Sequence, residues 1–158
     1  MASLILSDAM ISALIAEPKR LPRKWEERLA LQDKRGHKER NLAVIGEEGS
    51  NFRVILRLSR FNALDFSVIL GFAPMGSGHL IRLRRYNGKS HEHTNAIERD
   101  RFYGFHIHHA TERYQLRGLT PEGYAEETDR YADFGGALRC LIEDCAFEVP
   151  GGLPETLF

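Results

Sequence analysis

Between Phe52 and Tyr86 the chain alternates. In "FRVILRLSR", Phe52, Val54, Leu56 and Leu58 fall on one side and Arg53, Ile55 and Arg57 on the other, the two-residue period of a half-buried strand. "LDFSVILGF" is apolar almost throughout, as a strand covered on both faces would be. After the flexible break "PMGSG", the stretch "HLIRLRRY" sets His79, Ile81 and Leu83 against Leu80, Arg82, Arg84 and Tyr86, and it ends at Asn87-Gly88, a strong turn pair. "NLAVI", followed by the turn-rich "GEEGSN", supplies a further strand. The connections are too short for crossover helices, so the pattern predicts antiparallel pairing.

Two segments change period. Ser7 is a candidate cap for a short helix whose stripe is Met10, Ile11, Leu14 and Ile15, stopped by Pro18. In "DFGGALRCLIEDCAF", Phe134, Ala137, Leu138, Leu141, Ile142 and Cys145 make one apolar helical face behind the natural cap Asp133, although Gly135 and Gly136 weaken its first turn. Between the first helix and the strands, "PKRLPRKWEERLALQDKRGHKER" allows a helical turn around Trp25 and Leu29, with ends that read as exposed connection. These elements predict an α+β fold: an antiparallel meander of about five strands, a short amino-terminal helix, and a closing amphipathic helix packed on one face of the sheet.

With 158 residues and 42% hydrophobic content the chain suffices for one core, so a single domain is expected over 1–158. Its parts are a helical and basic extension (1–40), the sheet (41–116), and a turn with the closing helix (117–158). No apolar run is long enough to span a bilayer, and "MASLILSDAMISALIAEP" lacks the basic leader of a secretory signal; no membrane association and a cytoplasmic location are expected. Cys140 and Cys145 fit neither a bridge on one helix nor a zinc-finger spacing and read as buried thiols. The formal net charge is zero, which argues against a strong nonspecific nucleic-acid binder. Its distribution is uneven, with 16 basic against 9 acidic residues over 1–90 and 6 against 13 over 91–158, which permits a basic face or an acidic surface toward a basic partner. A glycine-rich phosphate loop, a "GxSxG" elbow and a paired-cysteine motif are all missing from the sequence.

Five of the seven histidines lie between positions 91 and 109, in "HEHTN" and "RFYGFHIHHATERYQ". If Phe102 to about Tyr114 is one strand, His106 and His108 share a face with Cβ atoms roughly 7 Å apart. Ile107 and His109, with Phe105 or Tyr103, take the other face as core, which sends His106 and His108 to the opposite surface. The same alternation turns Arg53, Arg57, Arg82 and Arg84 away from the core, so that one face could hold four arginines and two histidines.

Three chemistries suit such a set. The first is metal-free phosphodiester cleavage, in which two histidines exchange protons with the ribose hydroxyl and the leaving oxygen while an arginine stabilises the charged intermediate state. In the second, His91, His93, His106 and His108, with Glu112, ligate zinc or another divalent metal. In the third the histidines are structural. Glu112 could orient them or simply pair with Arg113, and Tyr114 could stack on a base.

An amino-terminal helix, β-hairpins, "RLRRYNG", "HEHTN", a strand with "HIH" and a helix ending "LIEDCAF" resemble small uncharacterised bacterial proteins of mobile-element and phage-defence gene neighbourhoods. From about Leu80 to Phe147 the chain is also similar to TumE-type toxins of toxin–antitoxin pairs, which place His-x-His after a β-meander and before a closing helix. The chain is longer than that pattern and adds His109. The resemblance implies a toxin or nuclease role carried by His91, His93, His106 and His108. Together these readings give the expectation of a metal-independent endoribonuclease without a cofactor. His106 and His108 would be its acid and base, His91 and His93 would complete the site, and Arg82 and Arg84, with Arg53, Arg57 and Tyr114, would bind RNA. A cognate antitoxin or toxin is the expected protein partner, and the alternative is a non-catalytic binding module or metal-binding protein.

Overall fold

The computed structural model describes residues 4–157. Helix α1 (Asp8–Ala16), strand β1 (Lys19–Arg20), the single turn α2 (Trp25–Arg28) and strands β2 (Gln32–Asp33), β3 (His37–Ile45), β4 (Asn51–Ser59), β5 (Phe66–Ala73) and β6 (Ile81–Asn87) come first. They are followed by β7 (His93–Thr94), β8 (Arg101–Phe102), β9 (His106–His109), α3 (Glu112–Leu116), β10 (Tyr124–Glu127), α4 (Phe134–Asp144) and β11 (Phe147–Glu148). Seven strands form one antiparallel sheet in the order β10-β9-β6-β5-β4-β3-β2, while β1 pairs with β11 and β7 with β8. The α+β class expected from the periodicity is the class observed, with a wider sheet than the expected meander.

Three departures from the sequence reading have local causes. Asn87-Gly88 does not close a hairpin: β6 finds its next neighbour, β9, only after the excursion Gly88–Phe105, which folds into its own β7–β8 hairpin. The long strand expected through Tyr114 stops at His109, because Thr111 accepts a hydrogen bond from the Tyr114 amide and starts α3. The third departure is a bulge. Leu70 pairs with Arg84 but Gly71 pairs with Arg82, so Leu83 is an extra residue in β6. Leu83 and Arg84 both turn toward the helix side, Leu83 into the core and Arg84 toward Asp144 of α4, while Arg85 takes the opposite face beside His108. The bulge sits at Gly71 because Leu80 packs where a Cβ would be, at 2.7 Å from that position.

The core lies between the sheet and α4. Asp133 caps the helix by accepting from the Gly136 amide at 2.7 Å, and Phe134, Ala137, Leu138, Leu141 and Ile142 join Val68, Leu70, Leu83, Tyr86 and Ile107 in one buried cluster. Each fully buried leucine here contributes about 1.5–3 kcal/mol relative to exposure. Trp25 and Leu29 belong to the same cluster, and α2 is the helical turn expected around them. Lys19 ties the amino-terminal segment to the closing helix: its buried ammonium donates to the carbonyls of Leu14, Ile15, Glu17 and Cys145 at 2.8–2.9 Å. Cys140 and Cys145 are free and buried. Among the described residues no helix is long and apolar enough to cross a membrane.

Candidate metal centre

The face of the sheet turned away from α4 carries the histidines. On β9, His108 stands opposite Arg85 and His106 opposite Asn87 of β6. The β7–β8 excursion laps over this face and adds His93. Its ring stacks on His106 with centroids 5.3 Å apart and meets His108 edge-on at 4.7 Å, with Phe102 against both His93 and His106. This cover makes His106 and His108 buried, at 6% and 8% exposure, where alternation alone had placed them on an open surface. One ring nitrogen from each of His93, His106 and His108 lies within 4.8 Å of the others.

Hydrogen bonds assign the tautomer of each ring. His106 Nδ1 donates to the Gly104 carbonyl at 2.9 Å and His108 Nδ1 to the Glu122 carbonyl at 2.7 Å. Carbonyls only accept, so both Nε2 atoms carry lone pairs. Asn95 fixes the third ring. Its Nδ2 donates to Asp100 and to the Ala125 carbonyl, and its Oδ1 accepts from the Ala125 amide at 2.8 Å. That oxygen is therefore an acceptor for His93 Nε2–H at 2.9 Å, which leaves His93 Nδ1 unprotonated. One nitrogen of each ring approaches the other two, and each ring is oriented by a hydrogen bond from one of its nitrogens, the pattern of metal-ligating histidines.

Burial works against protonation of the two β9 histidines. Burial pushes His108 down to about 3, and the neighbouring His106 and His93 act in the same direction against the Glu122 carbonyl. Burial likewise lowers His106, opposed by its bond to Gly104. On the other face, burial and Arg84 push His109 down to about 4 although Glu126 stands 3.9 Å away. Arg85 has its guanidinium pushed down by burial, against Glu122 and with the help of Arg82 and Arg57.

The trio opens onto a cavity of about 510 Å³ whose wall includes Arg57, Ser67, Arg85, Asn87 and His91. Three imidazoles suit zinc, iron, copper or nickel, and a three-ligand set leaves a coordination position open.

The other expected site residues are dispersed. His91 lines the cavity but lies outside the trio. Arg57 lines it too, with Nε 3.3 Å from Glu39. Arg53 is exposed on the same face beyond the cavity, and Arg82 there stands 3.9 Å from Glu122. Arg84 belongs to the opposite face because of the bulge. Tyr114 is 1% exposed and donates its hydroxyl to Glu98, so it has no face to offer a base. Glu112 is away from the trio, exchanging hydrogen bonds with Asp8, and Arg113 pairs with Glu98 rather than Glu112. Arg85, Asn87 and Asn95 were not anticipated; a glycine inside an apolar strand, Gly71, was the available signal for the bulge that exchanges Arg84 for Arg85. No family model, curated protein or solved structure matches the chain.

Proposed function

We propose that the chain is a metal-dependent hydrolase built around one divalent ion held by His93 Nδ1, His106 Nε2 and His108 Nε2. The approach of one nitrogen from each of three rings, with hydrogen bonds that leave a lone pair on each ring, carries this reading. A single cation is the partner that would engage all three rings at once. Neutral ligands leave the charge of the ion intact, which favours lowering the pKa of a coordinated water toward neutrality and polarising a bound substrate. The cavity suits a small polar substrate rather than a flat macromolecular surface, since about 300–1,000 Å³ is the usual range for small-molecule sites.

A second reading, the metal-free ribonuclease of toxin or defence type, draws support from Arg57 and Arg85 lining the same cavity as His106 and His108. It needs an imidazole that carries a proton near neutral pH, and the burial of both β9 histidines works against that charge. In a non-catalytic module with a toxin or antitoxin partner, the same ion would serve the fold alone.

The test uses tag-free protein, its ion content measured by mass spectrometry after incubation with stoichiometric Zn²⁺, Co²⁺ or Fe²⁺ and desalting. One ion per chain, lost in a folded His106→Ala/His108→Ala variant, is expected, together with chelator-sensitive hydrolysis. Failure of the wild-type chain to retain any of these ions overturns the proposal, and chelator-resistant RNA cleavage that needs the same histidines would establish the second reading instead.

A further inference from the structure

Arg85 is a half-buried cation at the cavity wall with no carboxylate within ion-pair distance among the described residues, unlike Arg57, Arg82 and Arg84. Its Nε donates to Asn87 Oδ1 at 2.9 Å and to Ser67 Oγ at 3.3 Å. These bonds fix the guanidinium plane and, among the described residues, leave its two terminal amino groups without an acceptor. A fork held this way is prepared for an anion, because the entropy cost of orienting a long side chain is already met within the sheet.

Asn87 completes the arrangement. Its Oδ1 also accepts from Ser67 Oγ at 2.8 Å, so both sides of that oxygen are occupied and the amide nitrogen points to His106 Nε2, 3.4 Å away. An ion that takes the His106 lone pair deprives Asn87 Nδ2 of its acceptor. A donor would then stand free at the edge of the ion, on the same strand face as Arg85.

We infer that Arg85 and Asn87 form a phosphoryl-binding cradle beside the three-histidine centre, and that the substrate is a small phosphate monoester. The inference rests on the proposed centre for its chemistry and on Arg85 and Asn87 for its specificity. A carboxylate offers two oxygens in one plane, enough for the guanidinium fork alone. A phosphoryl group offers three oxygens on a tetrahedron, so two can meet the fork while one reaches the ion and the Asn87 amide. Arg57, on the same wall, is paired with Glu39, and Asp65 and Glu92 line the wall as well, so the fork of Arg85 is the cation the cradle relies on. The reaction is hydrolysis: a bond forms between water oxygen and phosphorus, and the ester P–O bond breaks. One water proton ends on the leaving alcohol and the other on the released phosphate, with no oxidant or reductant needed.

Ion content is measured first and judges the centre by itself. Inorganic phosphate and acetate are then titrated calorimetrically into wild-type, Arg85→Gln, Arg85→Lys and Asn87→Ala proteins, with and without the ion. Arg85→Gln is expected to weaken phosphate binding by about tenfold or more while retaining the ion, with Arg85→Lys intermediate and acetate weaker than phosphate throughout. Asn87→Ala should weaken phosphate only in the ion-loaded protein. Phosphate binding that is absent in wild type, or unchanged in Arg85→Gln, overturns the cradle. If no ion is retained, the centre falls, and phosphate binding to the ion-free chain that depends on Arg85 still upholds the cradle. Phosphate release is compared for a nucleoside monophosphate, a sugar phosphate and a short RNA with and without a terminal phosphate. Release from the small esters supports the proposal, and action only on the phosphorylated RNA end assigns the same phosphoryl chemistry to nucleic acid. Cleavage of both RNAs alike overturns it.

Discussion

Asn95 Oδ1 accepts from His93 Nε2 at 2.9 Å and from the Ala125 backbone amide at 2.8 Å, so a single fully buried amide oxygen couples the ring on the roof of the site to strand β10 beneath it. The bond selects the tautomer that leaves the lone pair of His93 on Nδ1. Replacing Asn95 by alanine removes this selection without touching any proposed ligand. The expected result is about a 10–100-fold loss of metal affinity, measured by competition with a chromophoric chelator at a temperature where the variant is folded. Unchanged affinity would mean that His93 does not need its partner to ligate.

The pair "HEH" contributes its two histidines unequally. His93 is packed between Phe102, His106 and His108, while His91 is exposed at the cavity wall. His91→Ala should therefore retain one ion per chain, and His93→Ala should lose it or bind at least about tenfold more weakly, as expected for removal of one of three ligands. Equal loss in both variants would require a ligand set different from the one the hydrogen bonds define.

Much of the architecture was legible because it rests on local periodicity. The alternation of Phe52 to Leu58, the stripe from Phe134 to Ile142 and the caps Ser7 and Asp133 each specify an element without help from distant residues. The site depends on long-range relations that periodicity does not encode. His106 and His108 share the expected face, yet their burial comes from His93 and Phe102 on an excursion whose fold-back has no local signature. Arg84 and Arg85 exchange faces through one unpaired residue, Leu83, whose cause is the packing of Leu80 on Gly71 in the neighbouring strand. The core role of Tyr114 likewise depends on Glu98, in a loop that only the finished fold brings near.

Lys19 gives a pH signature far from the histidines. Burial pushes its ammonium down to about 8, with Cys145 and Glu17 pulling the other way. Between pH 8 and 9 the unfolded chain then binds more protons at this residue than the folded chain, so stability rises with pH by about 1 kcal/mol, or roughly 2–4 °C in Tm. Above pH 9 the trend reverses in part, because burial pushes the Cys145 thiol up to about 11 and the unfolded chain loses that proton first. Lys19→Met should abolish the rise and cost about 3 kcal/mol overall by leaving buried helix-end carbonyls without their donor. Thermal melts across this pH range decide the matter, and parallel slopes for the two proteins would remove Lys19 as the cause.

The bulge can be tested through the two arginines that it separates. Arg84 approaches Asp144 only to 4.0 Å, while Arg130 holds that carboxylate with two bonds of 2.8 Å and Tyr86 donates to it at 2.7 Å. Among the described residues, Arg84 Nε is buried with no hydrogen-bond partner. A half-buried guanidinium with an unsatisfied nitrogen is a poor stabiliser, and a methionine of similar length offers the same apolar stem without the desolvated charge. Arg84→Met should therefore change stability by less than about 1 kcal/mol in either direction, whereas Asp144→Asn, which weakens the Arg130 fork, should cost about 2–3 kcal/mol. Neither change should alter ion content or phosphate binding, since both residues lie across the sheet from His106 and His108. If Arg84→Met weakened phosphate binding as Arg85→Gln is expected to, β6 would have to run without its bulge and present Arg84 to the cavity.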